Sequence, residues 1–207
     1  DVFVNVAIVD SVANQSHVQT VESVLKEIQF EDTKLQVVFK GENENPEQAI
    51  SELADLAANY GKDLIIYPHY KTSMETAEEA LQAIKAVNKS NVYLSVHLCH
   101  ELAAGNGNRI DSVISNVAPY IKSVSISGAT LSEQSDTTLG NWYWGIKPLS
   151  MGTYDYSFFY NALYQVNYSG PIAIHTWRIF ENFGLSPEVN LPASKEIIDQ
   201  LAADVCN

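Results

Sequence analysis

The stretch Asp63-Leu-Ile-Ile-Tyr-Pro-His69, then Ser73 to Val87, then Val92-Tyr-Leu-Ser-Val-His-Leu98, decides the fold. The two outer runs are short, rich in apolar and aromatic residues, and read as strands. The Ala- and Glu-rich segment between them carries Ala77, Ala80, Leu81 and Ile84 on one stripe, the spacing of a helix with one buried face. Strand, crossover helix and strand make a βαβ unit, and such units build a parallel sheet.

The same alternation extends both ways. Upstream, Val2-Phe-Val-Asn-Val-Ala-Ile-Val9 predicts a strand buried on both faces. Val21, Val24, Leu25 and Ile28 predict a helix within Asn14 to Phe30, and Leu35 to Phe39 predicts a second strand. Pro46 suits the first position of a helix carrying Ile50, Leu53, Leu56 and Ala57, and Gly61 suits its end. Downstream, helices are predicted over Arg109 to Val117, Phe158 to Val166 and Ala193 to Val205, and strands over Lys122 to Ser127 and Pro171 to Trp177. That gives six clear strands, with Trp142 to Leu149 placed to hold a short seventh. The turn Val9-Asp10-Ser11-Val12-Ala13 has no glycine, so a dinucleotide-binding open sheet is disfavoured.

At 207 residues and 46% hydrophobic, the chain is sized for one domain with one core, and no linker divides 1–207. A net charge of −13 repels phosphate backbones and anionic lipid heads, which argues against nucleic-acid and membrane-surface partners. No apolar run approaches the roughly 18 residues that span a bilayer. The start at Asp1, without Met or a leader pattern, reads as a mature or trimmed product. Cys99 and Cys206 are too few for a disulfide framework. Acceptor triplets at Asn14, Asn88 and Asn167 lean toward a secreted, extracellular glycoprotein.

Four of five histidines fall at or just after a predicted strand end: His69, His97, His100 and His175. In a parallel α/β fold these ends share one face, where sites are built. Neutral imidazoles bind transition metals, act as acid and base near neutral pH, or hydrogen-bond sugar hydroxyls. His97 and His100 are three positions apart, so both reach one site only if the strand ends between them. Lys147, in an apolar and aromatic stretch, is placed to polarise a carbonyl. Tyr67, Trp142, Trp144, Trp177 and Ser127 lie near the same rim as candidate substrate contacts, and the polar loop from Ala129 to Asn141 is long enough for a lid. No Gly-x-Ser-x-Gly elbow occurs, and Glu101 is the one carboxylate beside the His97/His100 segment.

At Tyr67-Pro68-His69, His97-Leu98-Cys99-His100, Ser127-Gly128-Ala129 and Lys147-Pro148-Leu149-Ser150-Met151-Gly152, the chain resembles the xylose isomerase-like sugar phosphate isomerase/epimerase superfamily. The likeness runs from about Phe3 to Ile198 and is strongest from Asp63 to Trp177. It implies a (β/α)8 TIM barrel in which Val2 to Val9 matches the family's second strand. The first β/α unit would then be missing, leaving about seven strands. A fragment, a noncovalent remnant, a second copy or a partner chain would resolve the exposed edges. The resemblance also implies a divalent metal held by two Glu, an Asp and a His. Tyr67 stands where the first Glu belongs, His97 where the Asp belongs and His175 where the last Glu belongs. His100 matches a ligand position, and His69 matches the histidine after the first carboxylate.

Two readings follow. In one, a sugar isomerase/epimerase uses His69, His100 and Lys147 as catalytic groups. His69, His97, His100 and His175 would serve as ligands for Zn, Mn or Co, or the site would work without a metal. In the other, a non-catalytic secreted protein keeps the barrel, binds a carbohydrate and has lost the chemistry.

Overall fold

The computed structural model describes residues 3–11, 16–28, 32–41, 45–136 and 142–205. Asn14, Cys206 and the last part of the expected lid lie outside these residues. In chain order the elements are β1 (Phe3–Val9), α1 (Ser16–Ile28), β2 (Thr33–Phe39), α2 (Glu47–Asn59), β3 (Leu64–Ile66), α3 (Ala77–Val87), β4 (Val92–His97) and α4 (Leu98–Ala103). There follow α5 (Ile110–Val117), β5 (Ile121–Ile126), α6 (Tyr156–Gln165), β6 (Ile172–Ile174), α7 (Ile179–Phe183) and α8 (Pro187–Val205). The six strands form one sheet in sequence order, and every neighbouring pair is parallel.

The sheet curls into a partial barrel. Gln36 Nε2 on β2 donates to Ser123 Oγ on β5 at 2.6 Å, a bond that crosses the lumen. A cavity of about 630 Å³ is lined by Val4 and Val6 of β1 together with Ile172, Ala173 and Ile174 of β6. Among the described residues β1 and β6 do not pair with each other. On this open side Val6 and Ile8 are 41% and 46% exposed.

Alternation along each strand sorts the side chains. Leu35, Val37, Leu64, Ile66, Leu94, Val96, Val124 and Ile126 point outward into the core under the helices. The helices supply Val21, Leu25, Ile50, Leu53, Ile84, Val113 and Ile114 to meet them. Thr76 starts α3 with a capping box: its side chain accepts from the Glu79 N–H, and the Glu79 carboxylate accepts from the Thr76 N–H. Asn88 ends that helix at φ 53°, a left-handed position that asparagine tolerates.

The first strand is not buried on both faces as its sequence predicts, because Val6 and Ile8 of β1 stand on the open side of the sheet, and two further sequence expectations change. Trp142 to Leu149 forms no strand; it is a turn-rich segment with one antiparallel bridge, between Gly128 and Lys147. The described sheet therefore has six strands. A Cβ on Gly128 would collide with the Pro148 carbonyl, so only glycine allows this close approach. The second change is α4, a short helix that the sequence pattern does not predict. It begins directly after His97, so the strand does end between His97 and His100.

Candidate functional site

The ends of β3 and β4 and the segments after β5 and β6 bring one aromatic and imidazole cluster together. Tyr67 stacks on His97 with centroids 3.6 Å apart. His69 lies 4.0 Å from His100, and Trp142 meets His100 edge-on at 4.9 Å. His97 and His175 are 5.8 and 6.5 Å from His100. His100 is the centre of this cluster and is 2% exposed.

The cluster separates two cavities. A rim cleft of about 580 Å³ is lined by His69, Tyr70, Trp142 and Trp144, with Lys40, Lys71, Thr72 and Gln134. The barrel lumen lies on the other side and is lined by Tyr67, His97, His175 and Trp177. Both volumes lie in the range of small-molecule sites, about 300 to 1,000 Å³.

Hydrogen bonds define each imidazole. Ser95 Oγ donates to the Ile66 carbonyl at 3.3 Å, so it accepts from His97 Nε2–H at 2.8 Å. Ser125 Oγ then donates to His97 Nδ1 at 2.5 Å. Both nitrogens of His97 are therefore engaged. His69 Nδ1–H donates to the Tyr70 carbonyl at 2.9 Å, leaving Nε2 as its bare, basic nitrogen. His175 Nδ1 and the Cys99 thiol are 3.5 Å apart. His100 Nε2 bonds Tyr67 Oη at 3.2 Å, while its buried Nδ1 has no partner.

Burial dominates the electrostatics. It pushes His69, His97 and His100 below the usual imidazole range, His97 and His100 strongly, with mutual repulsion adding to the effect at His97 and His100. His175 is lowered to about 4 by burial and by His69. The Lys40 ammonium contributes to lowering His69. At neutral pH the cluster is uncharged. Burial raises the Tyr67 hydroxyl, and pushes the Cys99 thiol up to about 12, so Cys99 is no nucleophile.

The other sequence candidates sit elsewhere. Lys147 is 5% exposed, pairs with Glu133 at 2.5 Å and lies over the Tyr143 ring; it lines neither cavity. Ser127 is buried and donates to the Gly145 carbonyl. Trp177 is 47% exposed at the lumen mouth, beneath the Arg178 guanidinium. Glu101 accepts from the Ala77 N–H and from Asn106 Nδ2, both at 2.7 Å; it ties α3 to α4 and does not serve the cluster. Lys40 and Lys71 belong to the cleft, and no motif in the sequence marks them.

A family profile described as "Xylose isomerase-like TIM barrel" matches residues 19–201. The chain belongs to the xylose isomerase-like TIM barrel family. Comparison with curated proteins gives no match. Among solved structures, the IOLI protein with a bound zinc atom superposes with a TM-score of 0.75 at 16% identity, covering 98% of this chain and 77% of that one. L-ribulose 3-epimerase gives 0.70 at 14% identity, over 99% and 74%. The probable 3-DHS dehydratase AsbF of Bacillus anthracis gives 0.72 at 14% identity, over 95% and 76%. These likenesses establish the fold.

In this xylose isomerase-like barrel the cluster does not reproduce a mixed carboxylate and histidine metal site. Among the described residues no three His, Cys, Asp or Glu side chains stand together as a set that could hold an ion. Serines occupy both nitrogens of His97, which leaves it no lone pair for an ion, and no carboxylate stands among His69, His100 and His175. The residues as placed do not fit the family's metal, and no step below runs through one.

Proposed function

We propose that the protein binds a small carbohydrate in the rim cleft and moves a proton at the carbon beside its carbonyl, as an isomerase or epimerase does. The observation that carries this reading is His69. It is an uncharged imidazole, held through Nδ1 by a backbone carbonyl, with a basic Nε2, in a cleft of sugar size beside Tyr70, Trp142 and Trp144. Such an orienting bond on one nitrogen is how a general base is held ready.

In the reaction, His69 takes the proton from the hydroxyl-bearing carbon. The electron pair of that C–H bond forms the C=C bond of an enediolate, and the carbonyl π pair moves onto its oxygen. Gln134 lines the same cleft and offers an amide N–H to that oxygen as charge develops. His69 returns the proton to the neighbouring carbon on the same face while the enediolate hydroxyl proton passes to the first oxygen, which isomerises the sugar; epimerisation takes a proton on the opposite face, from water in the open cleft. His100, packed behind His69 and tied to Tyr67, positions the base and does not line the cleft.

The test is incubation with a panel of aldoses, ketoses and sugar acids in D2O, read by NMR. Deuterium is expected at the carbon beside the carbonyl of at least one sugar, slowed about 10²- to 10⁴-fold in His69→Ala. No incorporation across the panel overturns the catalytic reading. A second reading, binding without turnover, is favoured by His97, whose two nitrogens are committed to serines. Sugar binding with no exchange would select it.

A further inference from the structure

The rim cleft is electrically unlike the rest of the molecule. The chain carries 25 Asp and Glu against 12 Lys and Arg. Yet among the described residues lining this cleft there are two lysines, Lys40 and Lys71, and no carboxylate. Lys40 pairs with Asp10 at 3.3 Å, but both are well exposed, and such a pair is weakly held. Lys71 lies over the Tyr70 ring, and no carboxylate stands within ion-pair distance of it among the described residues. The cleft also stores backbone strain. Lys71 at φ 61° and Trp142 at φ 67° are both left-handed, a conformation that bulky residues adopt uncommonly and at a cost. That cost falls on two residues facing one cavity.

On the reading that this cleft holds a sugar, we propose that the sugar carries one carboxylate, as a uronic or aldonic acid does. Lys71 and Lys40 bind the carboxylate, and Tyr70, Trp142 and Trp144 support the C–H face of the sugar ring or chain. A single negative charge matches the local balance. Among the described residues, two ammonium groups with Asp10 offsetting one leave a charge near +1, inside a protein whose overall field repels anions. A phosphate dianion fits less well. None of the described lining residues belongs to the first turn of a helix, so among them there is no backbone N–H cradle of the kind typical of phosphate sites.

Calorimetric titration of the whole protein with D-glucuronate, D-galacturonate, D-gluconate, D-glucose and D-glucose 6-phosphate tests the idea. At least one acid should bind about tenfold more tightly than glucose, the worth of one good charge-assisted contact, and raised KCl should erode the difference. Lys71→Gln should lower the acid's affinity by about the same factor, and Lys71→Arg should restore it. Equal affinity for acid and neutral sugar, a preference for the phosphate, no binding by any acid, or an unmoved affinity in Lys71→Gln would each overturn it. The outcome separates from that of the proton-transfer reading. Tight acid binding without deuterium exchange sustains the acid site and sinks catalysis; exchange confined to neutral sugars does the reverse.

Discussion

The two faces of the sheet are made by alternate residues of the same strands and are chemically opposite. On β4, Leu94 and Val96 enter the helix-covered core, while Ser95 and His97 face the lumen. On β5, Val124 and Ile126 go outward, while Ser123 and Ser125 go inward. Branched aliphatic side chains usually fill the interior of such a barrel. Here Gln36, Ser95, Ser123, Ser125 and His97 stand beside an open cavity and pair with one another in part. The outer face builds the fold by removing apolar area from water, and the inner face holds an imidazole at a fixed angle. Stability and site geometry are thus carried by interleaved residues, and substitutions should separate them.

The largest effect is expected on the outer face. Leu94 is fully buried, and Leu94→Ala deletes its packing and leaves a cavity, which should cost about 2 to 5 kcal/mol in denaturant unfolding. A loss below about 1 kcal/mol would mean that the outer face can collapse around the gap and does not dominate stability.

Acid should reveal the inner face next. An unfolded histidine titrates near 6.5, whereas His175 in the fold titrates near 4. Between these values the unfolded chain binds a proton that the folded chain refuses. Stability is therefore full above about pH 6.5 and is lost as pH falls toward about 4, by roughly 3 kcal/mol for His175 alone. His97 and His100 shift in the same direction. Glu101, raised by burial, opposes them, since its contribution is lost as pH rises. Tm should fall between pH 7 and pH 5, and His175→Gln should flatten the profile. A Tm unchanged over that interval would contradict neutral, sealed imidazoles.

The contrast between the faces also explains what the sequence could reveal. Strand and helix order is legible because outer-face residues such as Leu64, Ile66, Leu94 and Val96 recur at periods set by geometry. The gathering of His69, His97, His100 and His175 is legible because parallel strand ends share a rim. Helix α4 is not, since six residues are too few for a periodicity. The burial of Lys147 is set by Glu133 and Tyr143, which reach it through a loop, and no local pattern records that. Lys40 and Lys71 escape notice for the same reason: each follows a strand end in an ordinary polar turn, and only the folded rim shows that they face one cleft.

The smallest effect probes whether the lumen polarity is dry or wet. Gln36 is 4% exposed, and its Nε2 donates to Ser123 Oγ at 2.6 Å. Ser123→Ala removes the acceptor and leaves a buried amide donor unpaired, which costs about 1 to 3 kcal/mol when water cannot reach it. Removing both partners in Gln36→Leu with Ser123→Ala deletes the donor as well, so the double variant should recover most of that loss. The double-mutant cycle then gives a coupling of about 1 kcal/mol, measured by denaturant unfolding. Both residues line the open lumen cavity, so water competes with the bond. A coupling near zero would show that water substitutes for serine at no cost. The inner face between β2 and β5 would then be a solvated surface, and there the distinction between a face that folds and a face that positions would lose its physical basis.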